Sequence, residues 1–120
     1  MSAGYLLDEH LPGWWPRAVL RLYPGLQVWR VGEPGAPALQ SPDPFILEWC
    51  EARDFLLVTN NRASMPVHLA EHLEGGRHVP GILVIPEKTV RGDVIDGILL
   101  VAGASFPDEF RDRIEHIPFR

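Results

Sequence analysis

The stretch Tyr5-Leu6-Leu7-Asp8-Glu9 decides how the 120 residues are read. Three apolar residues run into two acids, and Pro12-Gly13 breaks the chain shortly afterwards. An unalternating apolar run is the mark of a parallel strand buried on both faces. In open α/β sheets ligands bind just beyond the carboxyl ends of the strands. Asp8 therefore stands on that rim. A second run of the same kind, Phe55-Leu56-Leu57-Val58-Thr59, ends in Asn60-Asn61. If the two strands are neighbours, Asp8, Thr59, Asn60 and Asn61 share one edge.

Outward from these strands the chain alternates. Gly13 to Tyr23 has helical spacing, with Pro16 in its first turn and Val19, Leu20 and Tyr23 on one face. Leu26 to Val31 alternates apolar and polar, as an edge strand does. Gly32 to Ser41 is a loop rich in proline and glycine. Asp43 is expected to cap a helix from Pro44 to Arg53 that turns Ile46, Leu47 and Cys50 inward. A polar turn from Asn60 to Pro66 leads to a helix from Val67 to Glu74, stopped by Gly75-Gly76. Gly81 to Ile85 is a further buried strand. A last helix is expected from Thr89 or Arg91 to Ala102, a turn of helix within Phe106 to Arg113, and a closing edge strand at Ile114 to Ile117. This alternation implies one α/β domain over residues 1–120, with a mostly parallel sheet of four to five strands and helices on both faces.

Composition sets limits on function. The formal charge is −5, which weighs against non-specific nucleic-acid binding by a basic face. Cys50 is the only cysteine, so no internal disulfide forms, and its apolar surroundings make it a buried thiol. No signal peptide is visible, and the longest apolar stretch, Ile98 to Ala104, falls far short of the ~20 residues of a membrane span. A cytoplasmic protein without membrane association is expected.

Three groups of residues could carry chemistry. Asp8, Glu9, Asp43 and Glu48 could meet near the rim, with Asn60 and Asn61 as neutral oxygen donors. Crowded carboxylates repel, and a hard cation such as Mg²⁺ or Mn²⁺ offsets that repulsion. The plainer alternatives are a helix cap for Asp43 and a solvated face for Glu48. His68-Leu69-Ala70-Glu71-His72 matches a zinc-protease pattern, H-x-x-E-H, but the match is short, no third ligand follows, and surface histidines on an amphipathic helix are the plainer explanation. Arg62, Arg77 and His78 could form a basic lip near the rim, with scattered surface charge the plainer explanation. Trp14, Trp15 and Trp29 are candidates for a dimer or partner surface, with core packing the plainer alternative.

Taken together, Leu6-Leu7-Asp8-Glu9-His10-Leu11-Pro12, the helix-opening Asp43-Pro44-Phe45-Ile46-Leu47-Glu48-Trp49, and Val58-Thr59-Asn60-Asn61-Arg62-Ala63 resemble a PIN-like family of small bacterial proteins. The resemblance runs through most of residues 5 to 105. It implies a three-layer α/β/α PIN-like fold and a metal-dependent ribonuclease, often a toxin paired with an antitoxin. Asp8 and Asp43 would bind Mg²⁺ or Mn²⁺. Asn61 and Ala63 stand where the family pattern has its third and fourth acids. Asn61 would then supply an amide oxygen to the metal and Ala63 nothing. Two expectations follow. One is a ribonuclease with a reduced acidic site at Asp8, Asp43 and Asn61, acting on RNA. The other is a catalytically inactive PIN-like module that binds a protein or RNA, with a homodimer as one form of partnership.

Overall fold

The computed structural model describes residues 4–11, 20–21, 25, 27–85 and 110–116. The strands are β1 (Gly4–Leu7), β2 (Gln27–Arg30), β3 (Phe55–Thr59), β4 (Ile82–Val84) and β5 (Ile114–His116). Two helices, α1 (Asp43–Arg53) and α2 (Met65–Glu74), flank β3 in the chain. The expected helices at Gly13 to Tyr23 and from Thr89 or Arg91 to Ala102 lie outside the described residues, apart from Leu20 and Arg21, which are helical.

All five strands form one parallel sheet in the order β2-β1-β3-β4-β5. The two apolar runs are indeed neighbours: Leu7 is level with Val58, and the ladder continues past the strand ends with Asp8 N–H donating to Val58 O at 2.9 Å. Among the described strands β2 and β5 are the edges, and both are only half-buried, as alternation in the sequence implies. Leu6, Leu57, Ile82 and Val84 join Ile46, Leu47, Cys50, Met65 and Leu69 of the two helices in one apolar core. Tyr5, Leu7, Leu56, Val58 and Leu83 are equally buried, although they alternate with that set along the strands. Both faces of the sheet are therefore covered. The α/β class is as expected, and the arrangement is consistent with three layers.

Several boundaries differ from the sequence reading. Pro42, not Asp43, is the N-cap of α1: its φ of −67° and ψ of 148° are extended, and its carbonyl accepts from Phe45 N (3.0 Å) and Ile46 N (3.2 Å). Asp43 is the first helical residue and puts an acid in the first turn. α2 starts at Met65, two residues earlier than expected, because Pro66 suits a first turn where no N–H is needed. Of the segment Phe106 to Arg113, residues 106–109 lie outside the described residues, and Phe110 to Asp112 form a turn. Trp29 is used within the chain. Its ring lies 5.9 Å from Trp49 and 6.0 Å from Phe55, with the Arg53 guanidinium over both indoles. Trp14 and Trp15 lie outside the described residues.

Candidate functional site

The strand order dictates where a site should form. The chain leaves β1 for β2 on one side, then crosses to β3 on the other, so the order reverses between β1 and β3. Connections leave the carboxyl ends of these two strands in opposite directions and open a crevice between them. A cavity of about 450 Å³ lies there. Asp8, Glu9 and His10 from the turn after β1 line it, with Asn60 and Asn61 from the turn after β3. Gln40, Ser41, Asp43 and Ile46 complete the wall from the loop before α1 and from its first turn.

Asp8 and Asp43 thus face one cavity from separate elements. A chain of hydrogen bonds links them. Thr59 Oγ1 donates to Asp8 Oδ2 (2.8 Å) and accepts from Asn61 N (3.1 Å). The side-chain nitrogen of Asn61 faces Asp43 Oδ2 at 3.2 Å and Ser64 Oγ at 2.7 Å, while its carbonyl accepts from Ser64 N at 3.3 Å. Asn61 therefore offers N–H, not oxygen, toward Asp43. His68 Nε2 lies 3.4 Å from the same Asp43 oxygen. Glu9 Oε1 accepts from Gln40 N at 2.7 Å, which ties the β1 turn to the loop. Gln40 holds a φ of +65°, a conformation uncommon outside glycine.

Among the described residues, one group of three could hold a metal ion: the ligating atoms of Asp8, Glu9 and His10 all lie within 4.8 Å of one another. A cation bonded at about 2.1–2.4 Å separates opposite ligands by about 4.2–4.8 Å, so the spacing fits one ion. Asp43 lines the same cavity but is outside that group. Comparison with protein-family models, curated proteins and solved structures gives no match.

Other candidate residues go elsewhere. Glu48 is exposed, 4.0 Å from Arg77, and does not line the cavity. Arg77 and His78 do not form a lip beside the site; they belong to a polar cluster near the amino ends of β4 and β5. Glu51 there accepts from Arg77 Nε (3.1 Å) and His78 N (3.2 Å), and His72 Nε2 lies 3.1 Å from its Oε1. Asp112 accepts from Val79 N (2.9 Å) and His78 Nδ1 (2.7 Å). Burial alone would raise the pKa of both carboxyls, but these donors outweigh it and hold each below its ordinary value. Among the described residues the two histidines of the H-x-x-E-H match belong to no group that could hold a metal ion. His68 turns to Asp43, whereas buried His72 turns to Glu51 and to His78 O at 3.0 Å. Both partners of His72 Nε2 are acceptors, so that nitrogen carries the hydrogen.

The sequence reading missed His10, Gln40 and Ser41 in the wall and Ser64 and His68 behind it. Ser64 was legible in principle: Asn61 and Ser64 are three residues apart in the turn that leads into α2, the spacing of a side chain that bonds back to a local backbone amide.

Proposed function

We propose that the crevice between β1 and β3 binds Mg²⁺ or Mn²⁺ and that the protein is a PIN-like ribonuclease with a reduced acidic site, cytoplasmic and acting on RNA. The observation that carries this reading is the meeting of Asp8 and Asp43 in one polar cavity at the switch point of a parallel sheet. Asp8, Glu9 and His10 are the residues that would hold the ion, on the spacing of their ligand atoms. When bound, a divalent ion lowers the pKa of coordinated water and stabilises charge on phosphate oxygens. Thr59 fixes the rotamer of Asp8 through its hydroxyl. Asn61 and His68 hold one oxygen of Asp43, whose carboxylate is then available to accept a proton from a water or a ribose hydroxyl. No described helix is long and apolar enough to cross a membrane.

A specific observation favours a second reading. Each wall carboxylate already has a neutral donor: Thr59 for Asp8, Gln40 for Glu9 and Asn61 for Asp43. Such a wall holds together without a cation, as an inactive module that binds protein or RNA would require. Calorimetric titration with Mn²⁺, paired with RNA cleavage with and without chelator, separates the two. The ribonuclease reading expects binding and cleavage, both lost in Asp8→Ala and the cleavage lost in Asp43→Ala. Wild-type protein that neither binds Mn²⁺ nor cleaves RNA leaves only the binding module.

A further inference from the structure

We infer that Arg30 is a positioning residue, the clamp that presents the cation-binding turn. The inference rests on the cation reading proposed above. Arg30 ends β2, level with Leu7 of β1. Its Nη2 donates to Glu9 O at 3.0 Å and to Leu11 O at 2.6 Å. These two carbonyls flank His10, so the backbone is pinned on both sides of that residue. Leu11 N donates to Asp8 O at 3.2 Å and closes the turn from within. The side chains of Asp8, Glu9 and His10 hang from this pinned segment.

Arg30 does not line the cavity, so it acts through the turn and not on a ligand. It is half-buried, and its bonds are charge-assisted, roughly twice as strong as neutral ones. The base of the clamp is itself held. Arg30 N donates to Glu33 Oε1 at 2.8 Å, and Glu33 N donates to Arg30 O at 3.0 Å. A site that binds through three adjacent side chains depends on the backbone that spaces them. Groups supporting metal ligands from behind typically contribute ten- to hundred-fold in affinity.

The sign of the effect separates positioning from simple charge. Removing a cation beside an acidic cavity should, by Coulomb's law alone, tighten the binding of Mn²⁺. Loss of a clamp should weaken it. The test titrates Mn²⁺ into the full chain calorimetrically, for wild type, Arg30→Met and Arg30→Lys, well below each melting temperature. Pulsed electron paramagnetic resonance of bound Mn²⁺ reports ¹⁴N coupling from the His10 imidazole. Expected is about ten- to hundred-fold weaker binding in Arg30→Met with the ¹⁴N coupling lost. Arg30→Lys keeps the charge on a shorter stem and should fall between, and it serves alone if the Met variant does not fold. Equal or tighter binding in either variant, with the coupling intact, overturns the clamp and leaves the cation reading standing. Wild-type protein that binds no Mn²⁺ overturns the cation reading and, with it, the role of Arg30.

Discussion

Replacing Asn61 by Asp should convert the cavity from one that is stable without a cation into one that needs it. The Asn61 side-chain nitrogen lies 3.2 Å from Asp43 Oδ2, and Asn61→Asp puts a second carboxylate oxygen there. Two unit charges at that distance repel by about 1.3 kcal/mol at a dielectric constant of ~80 and by about 5 kcal/mol at ~20. Both side chains are half-buried at the wall of a cavity, so a cost of about 2 kcal/mol between these limits is expected in chelator. For a chain of this length that lowers the melting temperature by about 8 °C. Mn²⁺ at a hundred times its Kd returns about 2.7 kcal/mol, enough to restore the variant. The assay is thermal denaturation followed by circular dichroism, with and without Mn²⁺, beside calorimetric affinities for both proteins. Tighter Mn²⁺ binding and a melting temperature rescued by the ion are expected. A variant as stable as wild type in chelator, or one that Mn²⁺ does not rescue, would refute the reasoning.

Other expectations follow from the same contacts. Glu51→Gln should cost about 1–2 kcal/mol at pH 7, because two donors lose their charged acceptor. The carboxyl is held below its ordinary value of 4.5, so its contribution is present above that pH and is lost as the pH falls through the lower folded value. Urea denaturation at pH 7 and at about pH 3 should show the gap between wild type and variant closing at the acid end. Cys50 is 1% exposed and burial pushes its thiol far above the ordinary range, so a thiol reagent should leave the native protein unlabelled and titrate one group in denaturant. Gly4→Ala should destabilise the sheet, since a Cβ there would run into the carbonyl of Gln27 on the neighbouring strand; a lowered urea midpoint checks it.

The interior was the legible part. Apolar runs such as Tyr5 to Leu7 and Phe55 to Val58 carry burial on both faces in their composition, and alternation at Gln27 to Arg30 marks an edge. Asp8 on the rim followed directly from where its strand ends. The cap of α1 did not, because Pro42 and Pro44 bracket Asp43 and each neighbouring position tolerates extended angles. Glu48 does not reach the rim where Asp8, Glu9 and Asp43 meet. Five residues after Asp43, it is about 140° around the helix, on a different face. His10 and Arg30 gave no local signal at all. The Arg30 bonds reach across 21 and 19 residues, and only the register of β1 against β2 brings the partners together.

The position of β1 has a consequence for how the protein is made. This strand, fully buried in the finished sheet, pairs on one side with β3, whose Thr59 follows Asp8 by 51 residues. At ribosomal rates of about 5–20 residues per second, roughly 3–10 s separate the synthesis of the two segments. For that interval an oily tetrapeptide must wait without its inner neighbour, and binding by a chaperone would be most useful during those seconds.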